Sequence, residues 1–395
     1  MRNLESTPRN LGHASQLRNP KVLILITKGA IGGAQTHVLS LCQALVDQVN
    51  FIAAIGGTEP QTPLGKGLEP LHIPVIRLPK LGNSMSPLRL VAAVRELMHL
   101  LRQQRPDVIH AHSAAAGVVA RIAGIFTKIP IVYTVHGFGF KPEVSPLRRR
   151  VVWLAEFVLA RFTGHIICVS ENERQLAHSL PLKAERISVL HNALPDTNER
   201  AQLDHASVSV IMVARFASPK RPDLLLNALA LVRDRLGYEV PTSLVGSGPD
   251  LDASRRLARQ LNLQMVTFTG DVDDVPQRLA KHAIFVLMSD HEGLPISIIE
   301  AMRAGLAIIA SDVPGMRELI LPDESGLLVA NHELALADAI AKLLSLKSLR
   351  AYLGQAARTR YEDRFKAERR SNPVAAIYKK LAHATGTPAH PTARS

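Results

Sequence analysis

The chain has 395 residues, of which 47% are hydrophobic, at a mean hydropathy of +0.09. This length accommodates two domains with cores of their own, and the composition excludes an intrinsically disordered protein. No apolar run reaches the roughly 18–20 residues that a helix needs to span a bilayer.

The formal net charge is +13, and the first 200 residues carry most of it, with 23 Lys or Arg against 13 Asp or Glu. This excess of +10 predicts that the first half of the chain favours an anionic surface. The chain has only five Tyr and one Trp, and no basic run is interleaved with aromatic residues. Nucleic acid is therefore not an expected partner.

The two cysteines indicate a cytoplasmic protein, and no secretory signal is recognised. Residues 1–19 are polar without the apolar core of a secretory signal, and we expect a disordered lead there and a disordered tail over 385–395. Cys42 and Cys168 fall in apolar segments and lack the spacing of metal ligands. We expect both to be buried, reduced thiols.

Apolar runs of strand length alternate with segments of helical period along the whole chain. In the first half, strands are predicted at 22–27, 51–55, 75–78, 107–111, 131–135, 166–169 and 187–190. Helices are predicted between them at 34–46, 87–105, 114–126 and 146–162, and after the capping box formed by Ser170 and Glu173.

The second half repeats this alternation. Strands are predicted at 208–213, 242–245, 266–269, 283–288, 306–310 and 326–329, and helices at 219–236, 250–261, 295–304, 333–344, 349–364 and 373–383. The pattern predicts two doubly wound, parallel-sheet (Rossmann-like) α/β domains facing a cleft, at 20–200 and 201–364, joined by a polar linker over 197–205. The helix within 365–384 is expected to pack back across both domains.

The most informative segment follows the apolar strand 283–288. It contains Glu292 in a loop and Glu300 on an apolar helix bounded by Pro295 and Gly305. A carboxylate on a buried helix needs a polar partner or a ligand. One interpretation is a surface ion pair between Glu300 and Arg303; the other places both glutamates on the hydroxyls of a sugar or ribose.

Two further loops of the first half lie at predicted strand ends. The glycines of segment 28–35 let backbone N–H groups approach a phosphate or sugar, or they form a tight turn only. Their spacing is not G-x-G-x-x-G, and no acidic residue ends the second strand, so a nicotinamide site is not expected. His110, His112 and His136 lack an acidic partner, so metal binding is not expected. His110 and His112 are expected to be satisfied by backbone, and His136 is the better functional candidate.

The second half offers cations and further glycines at strand ends. Arg215 and Lys220 precede a predicted helix and suit a diphosphate, or they form a solvated pair. The D-x-D of Asp271 and Asp273 would suit a divalent metal, but Asp274 is interpreted as a helix cap and metal binding is not expected.

A basic amphipathic segment lies at 141–159, where Arg148, Arg149 and Arg150 lead into an apolar helix with Trp153 and Phe157. It is either an ordinary helix packed on the core or a contact with a membrane surface.

Five of these segments, taken in order, resemble the motifs of the retaining GT-B glycosyltransferases of family 4 over about residues 21–360. They are G-G-A at 32–34, T-x-H-G at 134–137, R-x-x-x-x-K at 215–220, G-x-G-P at 246–249 and E-x7-E with Glu292 and Glu300. The chain departs from the pattern at Ala214, where glycine is common, and at Arg221, which follows Lys220.

The resemblance implies an enzyme that moves a hexose or N-acetylhexosamine from a nucleotide sugar, with a uridine donor expected, to a hydroxyl group with retention. It implies that Arg215 and Lys220 stabilise the leaving diphosphate, that Glu300 holds the ribose and that Glu292 and His136 contact the donor sugar. The remaining donor-binding residues that it implies are Gly32, Gly33, Gly246, Gly248, Thr269, Gly293 and Leu294. No cofactor and no metal are implied.

The expected acceptor is a saccharide or a lipid-linked saccharide in bacterial surface polysaccharide (exopolysaccharide) synthesis. An anionic membrane surface is a further expected partner, with the enzyme peripheral at the inner face of the cytoplasmic membrane. Two alternatives remain: a GT-B sugar-nucleotide epimerase, which needs no acceptor, and a non-catalytic polyanion-binding protein, which needs no pair of glutamates.

Overall fold

The protein is described by a computed structural model covering residues 18–30, 32–83, 86–141, 144–201, 203, 208–367 and 373–384. The predicted tail and nearly all of the predicted lead therefore lie outside the described residues, as does part of the predicted linker. Among the described helices, none has both the length and the apolarity needed to cross a membrane.

The first half of the chain forms a parallel sheet of seven strands. They are β1 (Lys21–Ile26), β2 (Asn50–Gly56), β3 (Val75–Leu78), β4 (Val108–His112), β5 (Ile131–Val135), β6 (His165–Cys168) and β7 (Ile187–Val189). The intervening helices are α1 (Gly33–Leu45), α2 (Pro63–Leu68), α3 (Pro87–Gln104), α4 (Ala114–Thr127), α5 (Pro146–Ala160) and α6 (Glu171–Ala177). Most strand residues are buried, as expected for a parallel sheet covered by helices on both faces.

The second half forms a parallel sheet of six strands. They are β8 (Val210–Val213), β9 (Thr242–Val245), β10 (Val266–Gly270), β11 (Ile284–Leu287), β12 (Ala307–Ser311) and β13 (Leu327–Val329). The helices are α7 (Pro222–Leu236), α8 (Leu251–Gln260), α9 (Val275–Ala280), α10 (Ile296–Ala304), α11 (Pro314–Leu319), α12 (Glu333–Ser345) and α13 (Lys347–Arg364). The predicted fold class, two Rossmann-like domains of the GT-B type, is confirmed.

The strand order shows where each sheet can bind a ligand. It is β3-β2-β1-β4-β5-β6-β7 in the first sheet and β10-β9-β8-β11-β12-β13 in the second. The order reverses direction between β1 and β4, and between β8 and β11. Ligands of such sheets bind at the carboxyl ends of the strands on either side of this reversal.

The last helix, α14 (Val374–Ala384), packs on the first sheet. Val374 and Tyr378 are fully buried there, and the Tyr378 hydroxyl lies 2.5 Å from His110 Nδ1. Between α13 and α14, the Phe365 carbonyl accepts a 3.0 Å hydrogen bond from the backbone N–H of Leu194, in the connection between the sheets. The chain thus returns from the second domain to the first.

Several local predictions were wrong. Helix α7 begins at Pro222 and not at 219, so Lys220 lies in a loop before the helix. Helices α2 and α11 were not predicted, because each is a single short turn-rich segment of 6 residues with too few positions to show a period. Cys42 and Cys168 are free and buried, as predicted.

The capping box at the start of α6 is only half formed. The Ser170 side chain accepts a hydrogen bond from the Glu173 backbone N–H at 3.2 Å. The Glu173 carboxylate instead accepts from the Phe138 N–H at 2.8 Å and pairs with Lys141 at 2.5 Å. A tertiary partner has replaced the local one, because a fully buried carboxylate gains more from a cation than from one backbone N–H.

Candidate active site

The carboxyl ends of the two sheets face each other. The loop 292–294, after β11, lies against the loop after β5. The approach is so close that a Cβ atom added to Gly293 would lie 2.4 Å from the His136 carbonyl oxygen. On the other side of this loop, a Cβ atom on Gly315 would lie 2.4 Å from the Gly293 carbonyl oxygen. Only glycine allows the loop to pass between the two domains this closely.

The loop 214–221, after β8, presents two cations with different environments. Arg215 is exposed, and its guanidinium makes no hydrogen bond or ion pair within the described part of the chain. Lys220 is partly buried and forms a short ion pair with the carboxylate of Glu292. The reversal point of the second sheet therefore brings together Lys220, from the β8 side, and Glu292, from the β11 side.

The loops after β8 and β9 pack directly on each other. The Phe216 N–H donates to the Ser247 carbonyl at 3.0 Å. Gly246 and Gly248 have φ angles of 125° and 158°, and a Cβ atom on either would lie 2.0 or 2.2 Å from the carbonyl oxygens of Ala214 and Phe216. These two glycines thus fit the backbone that carries Arg215, and contact with a donor remains a proposal for them.

Glu300 lies on α10, next to the interface with the first domain. Burial raises the pKa of Glu300 to about 7, and the nearby positive charge of Arg303 only partly offsets this. The interpretation of Glu300 and Arg303 as a surface ion pair is wrong: Arg303 is 6% exposed, and its guanidinium donates to the Pro195 carbonyl at 2.9 Å. No hydrogen bond to the Glu300 carboxylate occurs among the described residues. A carboxylate left in this state can be stabilised by hydroxyl donors of a ligand.

The histidines of the first sheet form one buried cluster with His37 of α1. The ring centroid of His37 lies 5.5 Å from that of His112 and 5.0 Å from that of His136, and His110 lies 4.0 Å from His112. The prediction that His110 and His112 are satisfied by backbone was wrong. His110 bonds Tyr378 and Thr134 Oγ1, the latter at 2.7 Å, whereas both ring nitrogens of His112 are buried without a protein partner.

This cluster makes folding sensitive to acid. Burial lowers the pKa of His37 to about 4 and the pKa values of His110, His112 and His136 well below the ordinary 6.5. Below about pH 6.5 these histidines bind protons in the unfolded chain, whereas in the native protein they stay neutral. We therefore expect the free energy of unfolding to fall between pH 7 and pH 4, by up to about 1.4 kcal/mol per pH unit for each such histidine.

Urea unfolding at pH 7 and pH 5 checks this expectation. His112→Gln should reduce the pH dependence, whereas the same change at the exposed His383 should leave it unaltered. Equal stability of the wild type at the two pH values would contradict it.

Among the described residues, no group of His, Cys, Asp and Glu is arranged to hold a metal ion. Asp274 precedes α9, but its side chain makes no capping bond and instead accepts from Arg278 Nε at 2.6 Å. Asp274 therefore occupies the N-cap position of α9, as interpreted, but its side chain does not cap the helix, because the cation one turn later is a stronger donor than a backbone N–H.

The other predicted residues lie at the same edges. Gly32 precedes α1, and a Cβ atom on Gly33 would lie 3.9 Å from Ile296 of the second domain. Thr269 lies near the end of β10, and Leu294 is 5% exposed behind Glu292. The topology thus gathers every predicted site residue at the facing carboxyl edges, while their contacts with a donor remain proposals.

Sequence reasoning missed three residues that join the two halves of the site. Lys141 Nζ donates to the Glu292 carbonyl at 3.4 Å, and Asn192 hydrogen-bonds both His37 and Leu294. His37 lies on the apolar face of α1, where its residue type gave no signal. Asn192, a polar residue two positions after the predicted strand 187–190, was the available hint.

Fold and site together define a two-domain GT-B protein with its candidate site between the domains. The sequence model described as "Glycosyltransferase Family 4" matches residues 31–197, and the one described as "Glycosyl transferases group 1" matches residues 196–360. The two matches adjoin and together span both sheets. The chain belongs to the group 1 glycosyltransferases.

Curated relatives and solved structures agree with this family. The chain is 28% identical over 312 residues to the "O-antigen biosynthesis glycosyltransferase WbnH" of Escherichia coli, covering 78% of this chain and 86% of that protein. It is 27% identical over 269 residues to the "UDP-Gal:alpha-D-GlcNAc-diphosphoundecaprenol alpha-1,3-galactosyltransferase" of Escherichia coli, covering 64% and 70%. The crystal structure of HepE from Anabaena in complex with UDP and glucose has a TM-score of 0.76 at 22% identity, covering 93% and 99% of the two chains. At this identity, the similarity to HepE shows a shared fold.

Proposed function

We propose that the protein is a retaining glycosyltransferase of family 4 that transfers a sugar from a nucleotide-diphosphate sugar, with a uridine donor preferred, to a hydroxyl group. The observation that carries this proposal is the pairing of cations and carboxylates at the reversal point of the second sheet. Among the residues that the structure describes, the exposed Arg215 guanidinium has no hydrogen-bond or ion-pair partner, and Lys220 of the same loop pairs with Glu292. The Glu300 carboxylate, whose pKa burial raises, receives no hydrogen bond from these residues. A diphosphate, a sugar and a ribose are the complementary groups.

The chemistry needs positioning and charge rather than a protein nucleophile. The bond between the anomeric carbon and the diphosphate oxygen breaks, and a bond from that carbon to the acceptor oxygen forms on the same face. The acceptor proton passes to the departing diphosphate oxygen. Arg215 and Lys220 stabilise the negative charge that develops on the diphosphate, and Glu292 and His136 orient the sugar.

We propose a lipid-linked saccharide of bacterial surface polysaccharide synthesis as the acceptor. Two relatives support it by name, one in O-antigen biosynthesis and one acting on a sugar carried by diphosphoundecaprenol. Such an acceptor is anchored in a membrane, so the enzyme would work as a peripheral protein at its cytoplasmic face.

Helix α5 supplies a surface for this contact. Its exposed stripe consists of Leu147, Val151, Leu154 and Val158, which are 76%, 61%, 57% and 46% exposed and recur at helical spacing. Arg148 and Arg150 are exposed at its start. Apolar side chains flanked by cations suit the interface of an anionic membrane.

The structure corrects which residues of α5 would enter the membrane. Trp153 and Phe157 are half-buried against the domain core, and Trp153 Nε1 donates to Ser179 Oγ at 3.1 Å. They were predicted at the membrane contact, but they lie on the side of the helix that faces the protein.

Wild-type protein should float with anionic vesicles at low salt and much less at high salt. Each exposed arginine near the surface contributes about 1 kcal/mol, so Arg148/Arg150→Ser should reduce binding roughly tenfold or more. The matched control is Arg256/Arg259→Ser on α8, which removes the same charge from an exposed helix of the other domain. If the wild type does not float at low salt, or if both variants lose vesicle binding equally, α5 is not a membrane-binding surface.

Metal independence is part of the proposal. Because Arg215 and Lys220 would supply the positive charge at the diphosphate, turnover should keep more than about half its rate in excess EDTA. Loss of turnover that Mg²⁺ or Mn²⁺ restores would assign Asp271 and Asp273 to a metal after all.

Calorimetric titration with a panel of nucleotide sugars tests the proposed function. We expect micromolar to millimolar binding of at least one UDP-sugar and transfer of its sugar to an added lipid-linked saccharide, detected by mass spectrometry. Conversion of the donor to its epimer without an acceptor would indicate the epimerase instead. Binding that ignores nucleotide sugars and collapses with salt would indicate a polyanion-binding protein.

A further inference from the structure

Asn192 connects the two domains through both ends of its side chain. It lies in the connection that follows β7 and is 4% exposed. Its Nδ2 donates to the Leu294 carbonyl of the second domain at 2.7 Å, and its Oδ1 lies 2.8 Å from His37 Nδ1 on α1 of the first domain. Its amide therefore bridges residues that are 155 and 102 positions away in sequence.

The partners fix the orientation of this amide. The Leu294 carbonyl oxygen can only accept a hydrogen bond, so the NH₂ group of Asn192 must face it. The Oδ1 atom is then left for His37, and His37 Nδ1 must carry the hydrogen. The Leu294 carbonyl thus fixes the amide, and the amide fixes the tautomer of His37, whose Nε2 keeps the lone pair and is buried with no hydrogen-bond partner among the described residues.

We infer that Asn192 is a positioning residue for the transfer reaction: from the first domain, it holds the loop 292–294 in the place where that loop meets the donor. The role given to the loop rests on the proposed function. The hydrogen bond from Asn192 holds the carbonyl of Leu294, two residues after Glu292. The close contacts at Gly293 and Gly315 already confine this loop to a narrow space. A shift of the Leu294 carbonyl would move Glu292 relative to Lys220 and to any sugar between them.

A second interdomain contact offers a control because it does not involve this loop. Glu318 of α11 accepts hydrogen bonds from the backbone N–H groups of Glu171 and Asn172 in α6, at 2.8 and 2.9 Å. Its carboxylate also lies 3.3 Å from His191 Nε2, so that, like Asn192, it joins the domains through backbone groups and one histidine side chain. Glu318→Gln weakens the domain contact without changing a bond to the loop 292–294.

Hydrogen–deuterium exchange tests the inference without any substrate. Asn192→Asp replaces the donor to Leu294 by an acceptor, and Asn192→Leu removes both bonds at similar volume. We expect amide exchange in the peptide spanning 289–298 to rise at least fivefold in both variants and to change less than twofold in Glu318→Gln. If amide exchange in this peptide rises equally in Asn192→Leu and Glu318→Gln, Asn192 acts only as one of several contacts between the domains, and the inference is overturned.

Kinetics with the donor found for the wild type tests the functional part. We expect kcat to fall tenfold or more in Asn192→Asp while the Kd of UDP changes less than threefold, because Asn192 bonds neither Thr269 nor Glu300, the residues proposed for the base and the ribose. The loss should shrink as the pH is lowered, since a protonated carboxyl group regains a donor to Leu294, whereas the loss in Asn192→Leu should not. An unchanged kcat, or a parallel loss of UDP binding, would overturn the positioning role.

The two failures are distinguishable. If no nucleotide sugar binds the wild type, the proposed function fails, and the exchange experiment still decides whether Asn192 holds the loop. If a nucleotide sugar is turned over and both Asn192 variants match the wild type, the proposed function stands and the inference fails.

Discussion

Lys220→Ala should lower kcat/KM for the nucleotide sugar by roughly 30- to 1,000-fold, or about 2–4 kcal/mol of transition-state stabilisation. The ammonium group is fixed beside Glu292 at the reversal point of the second sheet, where a diphosphate would gather charge as it leaves. Removing it takes away that charge and also leaves the Glu292 carboxylate, 11% exposed, without its cation. Both effects oppose the approach of an anionic leaving group.

The next residue in the chain provides the matched control. The Arg221 guanidinium is engaged by Asp223 at 2.7 Å and by Asp290 at 3.1 Å. Its charge is already neutralised, so Arg221→Ala should stay within about threefold of wild type. Steady-state kinetics on both variants decides the matter: Lys220→Ala within threefold of wild type would exclude a role at the diphosphate.

Glu300→Gln should weaken UDP binding by roughly 10- to 150-fold at pH 8, where the wild-type side chain is ionised. A hydrogen bond to a charged acceptor contributes about 1.5–3 kcal/mol, and ribose hydroxyls can supply such bonds. Because burial raises the pKa of Glu300 to about 7, UDP affinity of the wild type should increase between pH 6 and pH 8. The variant lacks this carboxyl group, so its affinity should change less with pH over the same range.

The stability effect of the same substitution has the opposite sign. Between about pH 4.5 and pH 7 the unfolded chain releases the Glu300 proton while the native protein keeps it, so this group makes the native state less stable as the pH rises. Glu300→Gln should therefore melt at a higher temperature than wild type at pH 8. A residue that weakens the fold and strengthens ligand binding is expected at a functional site.

Calorimetry with UDP at pH 6, 7 and 8, together with thermal melts, checks both effects. Glu324→Gln, at an exposed turn of the same domain, removes the same charge and should match wild type in both measurements. An equal pH dependence in wild type and Glu300→Gln would show that another group controls binding.

The sequence by itself determined the order and type of most of the elements. Strands in a parallel sheet are short runs rich in apolar residues, and β3, β5 and β9 begin and end at the predicted residues, although only β5 is buried throughout. Glycine at 305 takes the left-handed conformation expected after a helix, with φ 81°. The predicted site residues follow from the same logic, since loops at the carboxyl ends of parallel strands share one edge.

Tertiary structure alone decided which side chains act together. The ion pair of Lys220 with Glu292 and the hydrogen bonds of Asn192 with His37 and Leu294 join residues 72 to 155 positions apart, where no local period or cap gives a signal. Glu173 likewise pairs with Lys141 instead of completing the predicted capping box. In α5, composition alone could not distinguish the exposed apolar stripe from the side that packs on the protein. Propensity and periodicity act over a few residues, whereas these contacts depend on how two sheets approach each other, and that approach is fixed by packing across the whole chain.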